Sequence, residues 1–177
     1  AILMETFLWP MTWKEDFDPK FILPFKLMRS PLGFVFTRVF NLMINKIIPE
    51  HCPISDDALQ HYRDAIPTFK SKAAMATFPK LIPLDGKPAA SHRFMTQLKN
   101  NLNNIHFPIL WITSRPGVVV SEVNPIGMKR LKEMKTLMPQ MEIRDFGEGN
   151  HFLSEERPEK VAAMINTWIS EKGFKGK

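Results

Sequence analysis

The chain of 177 residues holds a single cysteine, Cys52, and a single tyrosine, Tyr62. A lone cysteine excludes an internal disulfide and any zinc cluster built on thiolates. It fits a reducing compartment, so a cytoplasmic location is the expectation. Charge or proline interrupts every apolar run before it reaches the roughly 18 residues that a membrane-spanning helix needs. No block of lysine and arginine accompanies the net charge of +6. Neither a membrane nor a nucleic acid is therefore expected as a partner. His51, His61, His92, His106 and His151 show no i, i+4 pairing, so no metal site is expected. What is present is apolar (44%) and charged (24%) in the proportions of a folded globular protein. Its 15 prolines punctuate many short elements.

The opening run Ala1-Ile2-Leu3-Met4 has no start methionine and no helix cap. It lacks the positive segment and cleavage site of a secretory leader and reads as a buried strand of a parallel sheet. A chain opening inside such a strand is expected to have further sequence before it. From Thr6 to Pro88 the pattern is helical, aromatic-rich and broken by proline. Trp9, Trp13, Phe17, Phe21 and Phe25 recur every four residues on short kinked pieces. A helix over Phe34 to Ile48 follows, then one capped by Ser55 and running to Ile66, then one over Ala73 to Phe78. Such short helices suit a cap better than a free-standing bundle. Ala89 to Asn104 reads as a helix, Pro108 to Thr113 as a strand, and Ile126 to Met138 as a helix. Met141 to Phe146 reads as a strand and Pro158 to Ser170 as a helix. Strands alternating with helices predict an α/β fold with a parallel sheet and right-handed crossovers.

In such sheets chemistry collects at the carboxyl ends of the strands. Three ends are visible, presenting Glu5, Ser114 to Gly117, and Glu148 to His151. A carboxylate beside an imidazole fixes its tautomer and stabilises its positive charge, while the other ring nitrogen activates water. A glutamate ending a strand is, taken alone, more often solvated than catalytic.

Together these residues resemble one family. His151-Phe152-Leu153-Ser154-Glu155-Glu156-Arg157-Pro158 resembles the histidine loop of the haloalkane dehalogenases, an α/β-hydrolase family, where the catalytic base precedes the last helix. Ile2-Leu3-Met4-Glu5 resembles the end of its sixth strand, where one subgroup carries its catalytic acid. Ile109 to Val119 resembles the seventh strand and its Pro-Gly turn. Asn45 to Pro49, His61-Tyr62-Arg63 and Phe78 to Pro83 resemble cap landmarks in the same order. The resemblance implies a partial α/β-hydrolase sheet with an inserted helical cap. Residues 1–5 would be a core strand, 6–88 the cap and 89–177 the carboxyl-terminal core. The turn Thr113 to Gly117 carries no acid, whereas other subgroups place theirs there. Glu5 is then the implied acid and Glu122 a poorer choice.

No G-x-[DS]-x-G elbow, the usual seat of an α/β-hydrolase nucleophile, occurs in the chain. The family's aspartate nucleophile and halide-stabilising groups are expected upstream, so this chain alone is expected to be inactive. In the complete enzyme that the resemblance implies, the aspartate expels halide from an apolar halogenated substrate. His151 then activates water against the alkyl ester, supported by Glu5, without metal or organic cofactor. By position, Met43, Ile66, Val118, Val119 and Phe152 are expected to line the apolar pocket. They could equally be plain core residues, Phe152 excepted. A single tyrosine disfavours an epoxide hydrolase. An esterase, a luciferase-like oxygenase or a non-catalytic truncated homologue stays open.

Overall fold

The structure, a computed structural model, describes residues 1–121 and 123–173. Glu122, weighed above as an alternative acid, lies outside them. In chain order the elements are β1 (Ile2–Met4), α1 (Trp13–Asp16), α2 (Pro19–Arg29), α3 (Pro31–Phe40), a π-helical turn (Met43–Ile47) and α4 (Ile48–His51). Then follow α5 (Asp56–Ala65), α6 (Ala73–Leu81), α7 (Ala89–Asn100), a 3-10 turn (Leu102–Asn104) and β2 (Ile109–Pro116). The last are α8 (Pro125–Leu137), β3 (Met141–Gly149), α9 (Leu153–Glu156) and α10 (Pro158–Glu171). The chain divides into two compact units, Ala1–Phe7 with Leu102–Lys177, and Leu8–Asn101.

The first unit is built on a parallel sheet in the order β1-β2-β3. Ile109 to Ser114 of β2 are all buried. Such a continuous run belongs to a central parallel strand covered on both faces. Leu110 and Ile112 point to one face, where they join Phe146, Leu153, Val161 and Trp168 in a single apolar cluster. Ile2 and Met4 of β1 pack against the same cluster, as the two-residue period of a strand requires. Burying six such side chains is the main cohesive term of this unit. The fold is that of a partial α/β sheet.

An ion-pair group also ties β3 to the end of α10. Arg144 pairs with Glu142 at 3.5 Å and with Glu171, and Lys172 pairs with Glu142. The Lys172 ammonium, hydrogen-bonded to Glu142, holds that carboxyl below its ordinary value, with Arg144 adding to the effect. A depressed carboxyl stabilises the fold above its unfolded value, and that contribution is lost as pH falls through the folded value. Glu142→Gln is therefore expected to lower stability slightly at neutral pH and to leave the most acid end little changed, which flattens the acid limb. Urea midpoints measured across the acid range check this, and an unchanged acid limb would refute it.

The second unit is helical, with only isolated bridges between Met11 and Leu84 and between Leu84 and Lys87. Trp13, Phe17 and Phe25 from the predicted stripe cluster with centroids 4.9–6.0 Å apart. Phe21 is instead exposed and Trp9 is buried. The helix expected over Phe34 to Ile48 is broken at Asn41, which adopts a left-handed φ of 52°. Asparagine tolerates that conformation because its short side chain bonds locally. The helix expected to stop at Phe78 runs through Pro79 to Leu81. The one expected over Ala89 to Asn104 closes at Asn100 and continues as the 3-10 turn.

No single helix among the described residues is long and apolar enough to cross a membrane. The bent pair Pro31–Phe40 and Met43–His51, at 75°, meets that test only when taken together.

Candidate functional site

Glu5 follows the last residue of β1 and takes a φ of 40°. That left-handed turn is unusual for a glutamate, and it leaves the carboxylate 3% exposed. One oxygen, Oε2, accepts the backbone N–H of Val118 at 2.8 Å and of Val119 at 3.0 Å. The same oxygen lies 3.2 Å from Nδ1 of His151. With Nδ1 protonated, the imidazole donates to the carboxylate and presents its second nitrogen, Nε2, for proton transfer. Amide donors stabilise the ionised form of a carboxylate. The other oxygen, Oε1, is buried and has no hydrogen-bond partner.

Three strand ends converge here because the sheet is parallel. Pro116 of β2 pairs with Gly149 of β3, and Gly117 N–H donates to Gly149 O at 3.2 Å. Ser114, fully buried, donates its hydroxyl to Asn150 O at 3.3 Å. The Asn150 N–H donates to both oxygens of Glu156 at 3.0 Å. These bonds hold the loop that presents His151, whose ring meets Phe152 edge-on at 5.0 Å. His151 remains 35% exposed, so its far side is accessible. Of the other histidines, His51 faces the Ile47 carbonyl and His61 pairs with Asp57 on the surface.

Gly117 completes the cradle. Its φ is 59°, and a Cβ there would lie 2.9 Å from Ser114 O and 3.0 Å from Glu5 Oε1. Gly117→Ala is expected to cost about 1–3 kcal/mol, from left-handed backbone strain together with that clash. Urea unfolding measures it, and wild-type stability in the variant would mean that the turn relaxes freely.

Glu5, His151, Val118, Val119 and Phe152 thus meet in the first unit. Val118 and Val119 touch Glu5 through their amides; as side chains, Val118 is exposed and Val119 half-buried. Met43 and Ile66 are half-buried in the helical unit. That unit also holds an open groove of about 340 Å³ lined by residues such as Asn41, Asn45, Gln60, Arg63 and Asp64. It includes none of the predicted site residues. Glu156 was missed by sequence reasoning, although a carboxylate six residues after Asn150, at the end of α9, was a readable signal. Among the described residues no group of three or more His, Cys, Asp or Glu side chains could hold a metal.

No family model matches the chain. A haloalkane dehalogenase of Agrobacterium fabrum is 29% identical over 158 residues, 88% of this chain and 50% of that protein. A haloalkane dehalogenase of Mycolicibacterium smegmatis is 27% identical over 172 residues, 95% of this chain and 52% of that protein. The solved haloalkane dehalogenase DatA of Agrobacterium tumefaciens superposes with a TM-score of 0.82 at 28% identity. That superposition covers 96% of this chain and 57% of DatA. In sequence and in fold the chain is thus similar to the haloalkane dehalogenases, proteins of the α/β-hydrolase fold. DbeA of Bradyrhizobium elkani, at 23% identity, superposes with a TM-score of 0.84 over 96% of this chain and 58% of its own, a likeness of fold. The chain spans about half the length of the curated haloalkane dehalogenases it matches.

Proposed function

We propose that this chain supplies the base and the acid of a haloalkane dehalogenase-like hydrolase. The observation that carries the reading is the Glu5–His151 pair at the converging strand ends, in a fold shared with those enzymes. In this reading an aspartate from polypeptide outside this sequence attacks the carbon bearing the halogen. A carbon–oxygen bond forms, and halide leaves with the electron pair of the carbon–halogen bond. His151 Nε2 then takes a proton from water as its oxygen adds to the ester carbonyl. As the tetrahedral intermediate collapses, the acyl–oxygen bond breaks and the imidazolium, stabilised by Glu5, gives its proton to the departing alcohol oxygen, regenerating the aspartate carboxylate. Glu5 is the acid of the subgroup that carries it after the sixth strand. The amides of Val118 and Val119 support this role by holding the carboxylate in place beside His151.

Residues 6–88 are the cap, and Val118, Val119 and Phe152, beside His151, supply apolar surface for the substrate. The location is cytoplasmic, and the chain alone is inactive for want of its nucleophile. Halide release from a 1-haloalkane, measured on the complete protein and on this chain alone, tests the reading. Release by the complete protein and none by the chain is the expected pattern. Hydrolysis of a carboxylic ester without any halide release would put an esterase in its place.

A further inference from the structure

Helix α3 is amphipathic in the inverse sense. It buries its small residues, Gly33 and Thr37, and leaves Leu32, Val35, Phe36, Val39 and Phe40 exposed. Those five fall at i, i+3, i+4, i+7 and i+8, a single continuous stripe. On α2, Leu23 and Leu27 are exposed at 76% and 55% and share one side of the helix with Lys20. Single exposed apolar side chains need no explanation, whereas stripes on two packed helices mark an interaction surface.

Along the chain the charge of this segment has one sign, with Asp64 an acid that reaches the groove beside Val39 and Phe40. Every charged residue between Pro19 and Pro49 is a cation: Lys20, Lys26, Arg29, Arg38 and Lys46. The bounding acids, Asp18 and Glu50, are paired with Lys20 and Lys46. The segment from Pro67 to Leu84, which contains α6, adds Lys70, Lys72 and Lys80 and no acid, and α6 packs against both α2 and α3. Cations also sit beside the aromatic groups, with Lys20 over Phe21 at 5.0 Å and Lys26 over Trp13 at 5.3 Å.

We infer that the face formed by α2 and α3 lies on an anionic lipid surface. The apolar stripe would enter the headgroup and acyl boundary, with the lysines reaching the lipid phosphates. A second copy of the chain would set these cations against like charges. A protein partner would be met with hydrogen bonds across the interface, yet α3 carries no polar side chain on its exposed stripe. No single described helix is long and apolar enough to cross a bilayer, and lying on one needs no such length. Surface binding needs no chemistry at His151, so it goes beyond the proposed hydrolase and stands or falls apart from it.

Co-sedimentation of the full chain with vesicles decides the matter. Binding is expected to phosphatidylcholine vesicles containing phosphatidylglycerol, and much less to phosphatidylcholine alone or at high salt. Phe36→Ser and Phe40→Ser are each expected to weaken binding about tenfold or more. Lys20→Gln and Lys26→Gln are each expected to weaken it about fivefold. Should a Phe variant lose its helical circular dichroism, the lysine variants alone decide. The proposal fails if the folded chain ignores anionic vesicles at low salt, or if the variants bind as the wild type does. It also fails if sedimentation velocity reveals a dimer that Phe36→Ser dissolves, since a second copy would then cover the face.

Discussion

Replacing His151 by phenylalanine in the complete protein is expected to leave the first chemical step intact and to block the second. Halide displacement uses a carboxylate that is ionised at neutral pH, and nothing in that step needs a base. Attack of water on the ester does need one, and phenylalanine has no nitrogen to accept the proton. The alkyl-enzyme should accumulate with one equivalent of halide per site. Steady-state turnover should fall by about 10⁴-fold or more, the scale of losing an essential triad member. Intact-mass spectrometry after incubation with a 1-haloalkane reads the adduct directly. Glu5→Gln should slow the same step less completely. The imidazole remains, but its charged form loses the carboxylate 3.2 Å away. Because Oε2 also accepts two amides, glutamine can keep those bonds through its carbonyl, so the variant isolates charge from position. No mass increase in the His151 variant, with halide still released by the wild type, would exclude the ester route for this protein.

Strand β2 was legible in the sequence because being buried on both faces leaves a mark that needs no partner to be seen. The run Ile109-Leu110-Trp111-Ile112 admits few other readings. The meeting of Glu5 and His151 was legible for a different reason. Parallel strands end on one edge, so residues 146 positions apart are brought together by topology and not by local preference. Backbone detail was not legible. Nothing in Phe40-Asn41-Leu42 announces a break, since asparagine is merely tolerant of the left-handed conformation that it adopts there. Pro79 reads as a stop, yet α6 passes through it; tertiary packing overrides a local cost of about 3 kcal/mol for proline inside a helix. The amides of Val118 and Val119 were equally invisible. Side-chain chemistry marks these positions as apolar lining, while the contact with Glu5 is made by groups that every residue but proline carries.

The largest effect on stability is expected at Phe146, a residue outside the chemistry. Its ring is fully buried among Leu110, Ile112, Leu153, Val161 and Trp168, and Arg157 and Lys160 lie over it at 5.5 and 4.9 Å. Phe146→Ala should cost about 3–5 kcal/mol, the sum of lost transfer energy and the cavity left behind. Phe146→Leu, close to volume-conserving, should cost less than about 1.5 kcal/mol. The ring also sets the path of the loop that follows. A Cβ on Gly149 would lie 2.9 Å from Phe146 Cδ1 and Cε1 and 2.7 Å from Leu153 Cδ2, so the glycine backbone rests directly on the ring. Removing the ring frees Gly149 and Asn150, and with them the placement of His151 against Glu5. Urea unfolding of the chain should therefore show the large loss for alanine and the small one for leucine. On the proposed mechanism, alanine in the complete protein should lower kcat more than it raises KM, because His151 is displaced from Glu5. Equal costs for alanine and leucine would mean that the cluster collapses into the space, and the loop would then owe its position to Glu156 and Ser114 alone.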